Sequence, residues 1–373
     1  MKILHVIPNL LKGGAQRLVI DICNELSKKE SVDCRILVLS YSNNEFQFCS
    51  SSLDITYCSV SFKLSIFKKN KINIGSYESF IDEFKPDVIH SHLYFSELVC
   101  HENPRLNIKY ISHLHDNNMI FKKTTFKSFL RLEKKYVFFE KYRLIYRYLR
   151  VSKTFISISS STTNFFMRNV PKLSNHLVEL HNAINLNRFS PGLRAPSKEV
   201  IKLISVGNLF KQKNHIFLLD VVRYIKTKKY AVSLNIVGDG EEKNKILNRA
   251  KELGIENQLI LSGQTNFVEE ELKKADFYVH SAKHESFGLV IIEAMASKIP
   301  VITLNGNGNQ DLVMNGVNGY IVEKQNPYYF GDIIIDLFLN RNKRNKIICE
   351  AYKFSMKFDI KVYVKKLLNI YSK

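Results

Sequence analysis

The segment His284-Glu285-Ser286-Phe287-Gly288-Leu289-Val290-Ile291-Ile292-Glu293-Ala294-Met295-Ala296 decides how this chain of 373 residues is read. Gly288 marks a turn, and the apolar run after it reads as a helix. A helix N-terminus carries unpaired N–H groups and a partial positive charge, which suit a phosphate. Gly288 lets the backbone come close to such a group. Glu285 lies on the loop before the helix, and Glu293 lies within the helix. That layout fits a diphosphate with a sugar at one end and a nucleoside at the other. The plainer alternative makes Glu285 a helix cap and Glu293 an exposed helix residue, and spacing alone does not separate the two.

Bulk composition narrows the classes. Hydrophobic residues make up 45% and charged residues 24%, the balance of a soluble globular protein with room for two domains. No apolar run reaches the roughly 18 residues of a membrane-spanning helix. Met1–Pro8 is too short and interrupted for a signal peptide and reads as a first buried strand. Cys23, Cys34, Cys49, Cys58, Cys100 and Cys349 show neither C-x-x-C nor zinc spacing, so they read as reduced packing residues. A cytoplasmic protein is expected. The net charge is +20. Lys122 to Lys153 holds eleven Lys/Arg and two Glu, a net of +9. Such a patch attracts phosphates of lipid, lipid-linked substrate or nucleic acid. Nucleic acid is not expected, because zinc-finger, RNP-type and basic-zipper patterns are missing. No G-x-G-x-x-G follows a strand, which disfavours a dinucleotide oxidoreductase.

Strand-like and helix-like segments alternate along the chain. Strands are expected at Lys2–Ile7, Cys34–Leu39, from Pro86 to His90, at Lys109–His113 and at Phe155–Ile158. After a loop at Asn185–Pro196 the rhythm restarts, with strands near Ile201–Val206, Val232–Val237, Leu259–Leu261, Phe277–His280 and Val301–Thr303. Helices are expected to start near Asn214, Glu241, Val268 and Gly288, and about 328–373 reads as helical. The alternation predicts parallel sheets covered by helices. Ligands in such sheets sit at the carboxyl ends of strands.

Several short motifs occur in one order. They are Gly13-Gly14-Ala15-Gln16-Arg17, Asp87-Val88-Ile89-His90-Ser91-His92, Ser157–Ser161, Asn182-Ala183-Ile184-Asn185 with Phe189-Ser190-Pro191, Val206-Gly207-Asn208-Leu209 with Lys213, and Val237-Gly238-Asp239-Gly240. With the Glu285/Glu293 segment, this series resembles the retaining GT-B glycosyltransferases of the glycosyl transferases group 1 (family 4) class over nearly the whole chain. The resemblance implies an α/β GT-B fold of two doubly wound Rossmann-like domains facing a central cleft. Residues 1–190 would bind the acceptor and 191–355 the nucleotide sugar. Residues 356–373 would form a helix packing back toward the N-terminal domain.

The resemblance also implies roles. The enzyme would move a sugar from a nucleotide-diphosphate sugar to a glycan or lipid-linked acceptor in bacterial surface polysaccharide synthesis. Donor contacts fall to Gly14, Asn208, Lys213, Glu285, Phe287, Gly288, Leu289 and Glu293, with Glu285 on sugar hydroxyls and Glu293 on the ribose. His115 would lie over the reacting sugar, with His113 as its rival, so His115 and Glu285 are the catalytic candidates. Retention in this class is explained by front-face attack, which needs stabilisation of the leaving diphosphate more than a strong protein base. No Asp-x-Asp occurs, so neither a metal nor any other cofactor is expected. The family's Gly-Arg is Gly207-Asn208 here, which removes one diphosphate cation. The family's N-G-I-D is Asn182-Ala183-Ile184-Asn185, and its later acidic residue appears as Asp311. Other readings are a GT-B sugar-nucleotide epimerase, a glycan phosphorylase or a non-enzymatic basic protein.

Within the basic stretch, Leu132, Tyr136, Phe139, Tyr142, Tyr146 and Leu149 recur at helical spacing. One reading is a helix on an anionic membrane surface beside the acceptor site, at the inner face of the cytoplasmic membrane. His92, Lys122, Lys123, Lys127 and Arg131 are then candidates for the acceptor or membrane side. The alternative is a core-packed helix with a solvated basic face.

Overall fold

The computed structural model describes residues 1–40, 53–63, 71–122, 132–151, 153–189 and 199–373. The chain divides into two units, one of Met1–Asn182 with Ile360–Lys373 and one of Ala183–Asp359.

The first unit is built on strands β1 (Lys2–Ile7), β2 (Asp33–Val38), β3 (Asp54–Tyr57), β6 (Val88–His92), β7 (Lys109–Leu114), β8 (Lys153–Ser157) and β9 (Leu177–Glu179). They pair in the order β3-β2-β1-β6-β7-β8-β9, all parallel. A separate antiparallel hairpin joins β4 (Ser61–Lys63) and β5 (Lys71–Asn73). The central strands are near-continuous apolar runs because helices cover both faces of a parallel sheet. Helix Gly14–Leu26 packs Leu18, Val19, Ile22 and Leu26 inward. Register aligns His5 with His90 and His92 with His113. Period-two alternation then gathers His90, His92, His113 and His115 on one side of the strands.

The second unit has β10 (Val200–Val206), β11 (Ala231–Val237), β12 (Leu259–Gly263), β13 (Phe277–His280), β14 (Val301–Leu304) and β15 (Tyr320–Val322). Their order is β12-β11-β10-β13-β14-β15, again all parallel. This is the doubly wound order with its reversal between β10 and β13, where crevices for ligands open at strand carboxyl ends. Leu203, Leu219, Val222, Leu234, Ile236, Phe277 and Phe330 form part of its core.

The expected strands are present, with ends shifted by a residue or two. The 328–373 stretch resolves into helices Pro327–Leu339, Arg341–Ser355 and Ile360–Ser372. Elements that sequence reading left out are short or sit at edges. They include β3, the β4–β5 hairpin, β9, β15 and helices Gly75–Phe84 and Leu93–Cys100. Cys23, Cys58 and Cys100 are buried, Cys34 is half-buried and Cys349 exposed. Cys49 and Ser190–Pro196 of the expected loop lie outside the described residues.

Candidate functional site

The reversal between β10 and β13 places two loops side by side. The loop after β10 carries Gly207, Asn208 and Lys213, and the loop after β13 carries Glu285 and Gly288. Ser281 Oγ donates to the Lys213 carbonyl at 2.8 Å and the Lys283 N–H to the Gln212 carbonyl at 2.9 Å, which locks the two loops together. Lys213 Nζ then lies 2.7 Å from Glu285 Oε2, and His280 Nε2 lies 3.1 Å from the same oxygen. Burial works against the Glu285 charge, but the Lys213 ammonium and the His280 ring outweigh it and hold the carboxyl well below the usual range. Glu285 therefore stays a carboxylate across the ordinary pH range.

Helix Leu289–Ala296 starts directly behind this pair. Its N-cap, Gly288, has φ 98°, a backbone shape that favours glycine. A third loop braces the site. Glu285 N–H donates to the Gly306 carbonyl at 2.8 Å, and Gly308 N–H returns to the Glu285 carbonyl at 3.0 Å. A Cβ at Gly308 would lie 2.3 Å from the Ser286 carbonyl oxygen, so only glycine permits this approach. Asn309, fully buried, holds that loop through Thr303 Oγ1, the Leu304 carbonyl and the Gly306 N–H. Glu293 is 8% exposed, so the plain reading of it as an exposed helix residue does not hold. Phe287 is buried, while Asn208, Leu289 and Asp311 are half-buried. The structure thus brings Lys213, Glu285 and Gly288 together, and sequence reading had not singled out His280, whose only signal is its place at the end of β13.

In the first unit, Gly14 is the first residue of its helix and is exposed, with Gly13 as N-cap. Asn9 Oδ1 orders the preceding turn by accepting from Leu11 N–H and Gln16 Nε2. His115 is half-buried just after β7. It belongs to a cluster that sequence reading did not assemble, formed with His5, His90, His92 and His113. His92 Nδ1 is 2.9 Å from His115 Nε2, His92 Nε2 is 2.9 Å from His5 Nδ1, and His113 Nδ1 is 3.1 Å from His90 Nε2. Burial, with the neighbouring rings second, lowers His5 to about 3 and His90, His92 and His115 well below the usual value. His113 also falls to about 3, burial outweighing the raising influence of nearby Asn182. Among the described residues, three groups bring ligating atoms within 4.8 Å of one another: His5/His90/His92, His92/His113/His115 and His5/Cys23/Cys34.

Helix Leu132–Tyr148 has an unusual division. Leu144 and Tyr148 pack inward, and buried Glu140, Lys141 and Arg147 are paired inside, with Lys141 Nζ on the Phe121 and Asn169 carbonyls and Arg147 on Glu102. Phe139, Tyr142, Tyr146 and the adjoining Leu149 are 38%, 55%, 67% and 51% exposed. These four residues of the stripe therefore face outward, while the side chains of Leu132 and Tyr136 lie outside the described ones. Lys122 is exposed and His92 buried. Lys123, Lys127 and Arg131 lie outside the described residues. No helix among the described residues is long and apolar enough to cross a membrane.

Comparison with known proteins joins these observations. The model described as "Glycosyl transferases group 1" matches residues 191–354, and "Glycosyltransferase Family 4" matches residues 12–188. The poly(glycerol-phosphate) alpha-glucosyltransferase of Bacillus subtilis is 29% identical over 173 residues, 46% of this chain and 26% of that protein. The UDP-Gal:alpha-D-GlcNAc-diphosphoundecaprenol alpha-1,3-galactosyltransferase of Escherichia coli is 30% identical over 186 residues, 45% of this chain and 48% of that protein. The chain spans between 26% and 50% of the length of the first curated relatives it matches. Among solved structures, Anabaena HepE in complex with UDP and glucose superposes with a TM-score of 0.79 at 17% identity, covering all of both chains. TarM gives 0.76 at 14% identity, covering 100% of this chain and 99% of its own. Two parallel doubly wound units, the ordered motifs and these matches agree: the chain belongs to the GT-B glycosyltransferases of the group 1 and family 4 class.

Proposed function

We propose that this protein is a retaining, metal-independent glycosyltransferase that moves a sugar from a nucleotide-diphosphate sugar to a glycan or lipid-linked acceptor in bacterial surface polysaccharide synthesis. The observation that carries the reading is the Lys213–Glu285 ion pair at the mouth of helix Leu289–Ala296. An ammonium has three N–H donors, so Lys213 can hold Glu285 and still meet a phosphate. The helix's first N–H groups add a second site for negative charge. Glu285, held ionised, accepts hydrogen bonds from sugar hydroxyls, and Glu293 accepts them from the ribose. His115, neutral, hydrogen-bonds sugar hydroxyls. The arrangement stabilises a leaving diphosphate, the charge that develops in the transition state. Related names support it: the E. coli relative is a UDP-Gal-dependent transferase acting on a diphosphoundecaprenol, and HepE was solved with UDP-glucose.

The reading includes attachment to an anionic membrane surface. The exposed stripe Phe139/Tyr142/Tyr146/Leu149 lies beside Arg143 and Arg150 on the same helix and its end. Aromatic rings with cationic neighbours suit a headgroup interface.

The test is a thermal-shift panel of UDP, GDP, ADP and CMP at fixed salt, with inorganic diphosphate as charge control. A ligand at 100 times its Kd adds about 2.7 kcal/mol, roughly several degrees. One base standing clear of diphosphate supports the donor site and selects the sugar nucleotides for transfer assays. Equal shifts for every anion would overturn it.

A further inference from the structure

We propose that His5, His90, His92, His113 and Tyr371 form a neutral, single-file hydrogen-bond chain that fixes His115 as its Nε2–H tautomer and leaves Nδ1 as an acceptor. Tyr371 lies on helix Ile360–Ser372. Its hydroxyl lies 2.6 Å from His90 Nδ1 and 3.4 Å from His5 Nε2. A phenol has one proton to give. A contact of 2.6 Å is shorter than the usual N–H···O range and fits a hydroxyl donor. Tyr371 therefore donates to His90, and its oxygen is left to accept from His5 across a longer, weaker contact.

The remaining protons follow in both directions. His90 Nδ1 accepts, so its proton is on Nε2 and goes to His113 Nδ1 at 3.1 Å. His113 then carries its proton on Nε2. That atom and Asn182 Oδ1 are both buried and lack a hydrogen-bond partner, and Asn182 is close enough to act on the His113 ring, so the orphan acceptor calls for the donor at this nitrogen. In the other direction His5 donates from Nε2, so its Nδ1 accepts from His92 Nε2–H at 2.9 Å. His92 Nδ1 in turn accepts from His115 Nε2–H at 2.9 Å. One assignment at Tyr371 thus sets every ring to Nε2–H.

The chain is neutral for a separate reason. Neighbouring rings lie with centroids 4.2–5.2 Å apart, and His5, His90, His92 and His113 are at most 3% exposed. Adjacent imidazolium charges in so buried a place are strongly disfavoured. Burial raises the pKa of the Cys23 thiol beside His5, so it supplies no charge that would compensate. Which nitrogen of a histidine carries the proton is set by the hydrogen bond its other nitrogen makes. The five partners are positioning residues in that sense. Their consequence for transfer rests on the reading of His115 as the group that meets the sugar, where Nδ1 would accept a hydrogen bond from a hydroxyl.

The experiment is a two-bond 1H–15N correlation on protein labelled in its histidine rings, with metal content measured on the same sample. The expected pattern at neutral pH is protonated Nε2 and unprotonated Nδ1 at all five rings. Tyr371→Phe removes one hydroxyl and cuts the chain, so His115 should become a mixture of tautomers, with kcat about tenfold lower and donor KM unchanged. Asn182→Leu removes the acceptor at the far end and should loosen the same pattern, which covers the case of a Tyr371 variant that does not fold. An Nδ1–H tautomer at His115 in the parent protein, a stoichiometric metal on the cluster, or an unchanged His115 tautomer in folded Tyr371→Phe overturns the proposal. A His115→Gln enzyme that transfers sugar at the parental rate would instead overturn the role of His115 and leave the chain standing.

Discussion

Lys213 Nζ sits 2.7 Å from Glu285 Oε2, so the loop after the first strand of the second sheet is ion-paired to the loop after its fourth. Neither partner is free of the other's chemistry. Lys213→Ala should lower kcat about a hundredfold or more, the scale of losing one transition-state charge contact. It should also weaken binding of inorganic diphosphate. Stopped transfer with parental diphosphate affinity would mean that Lys213 only positions Glu285.

The two glutamates should separate kinetically. Glu293→Ala removes a charge-assisted acceptor from the proposed ribose and should weaken nucleotide binding about tenfold to a hundredfold. Glu285→Ala should spare nucleotide binding and mainly lower transfer. Calorimetric titration with the nucleotide, set beside steady-state transfer, checks both. Parental transfer in both variants would sink the site assignment.

How much of this site could be read from the chain depends on the reach of each signal. Lys213, Glu285, Gly288 and Glu293 lie in local motifs whose spacing survives in one dimension. His280 and the histidine cluster do not, because parallel pairing joins residues from distant strands: His5 aligns with His90, and His92 with His113. Tyr371 is further still from its partners in sequence. The same holds for the fold. Buried central strands announce themselves as apolar runs, whereas half-exposed Asp54–Tyr57 and Leu177–Glu179 become strands only through their neighbours. The outward stripe on helix Leu132–Tyr148 was legible as a stripe, but its direction was not.

Acid should destabilise the protein. The five clustered histidines have lowered pKa values when folded, near 3 for His5 and His113. The unfolded chain therefore binds more protons, and stability is lost as pH falls below about 6.5. Glu97 acts the other way. Burial pushes it up to about 7 despite hydrogen bonds from Ser112, Ser91 and Tyr148, so its contribution is full below about 4.5 and lost as pH rises to 7. Five groups outweigh one, each limited to about 1.4 kcal/mol per pH unit. Urea unfolding at pH 5 and pH 7.5 should show the lower stability at pH 5. Glu97→Gln should gain at most about 3 kcal/mol relative to the parent on moving from pH 5 to pH 8.

Membrane attachment should need both rings and charge. The protein should float with vesicles rich in anionic lipid and release as salt rises. Tyr142→Ser and Tyr146→Ser should each weaken partition about tenfold, the worth of one buried aromatic side chain. Flotation unaffected by salt and by both substitutions would remove the helix from the membrane reading.

Gly308→Ala offers a check on the bracing loop. Its new Cβ would overlap the Ser286 carbonyl oxygen, so the loop must move and Glu285 with it. Transfer should fall at least tenfold while the far-ultraviolet circular dichroism stays parental. Full activity would show that the brace is not needed.

The first unit takes helix Ile360–Ser372 from beyond the second unit in sequence. During synthesis, its sheet strands emerge early, yet Lys109 Nζ must wait for the Ile370 and Tyr371 carbonyls, and His90 for the Tyr371 hydroxyl. The ribosome has therefore made all of the second unit before the first can close its core. Until then His90 lacks the Tyr371 hydroxyl and Lys109 its two carbonyls, so a nascent chain differs chemically from the finished one.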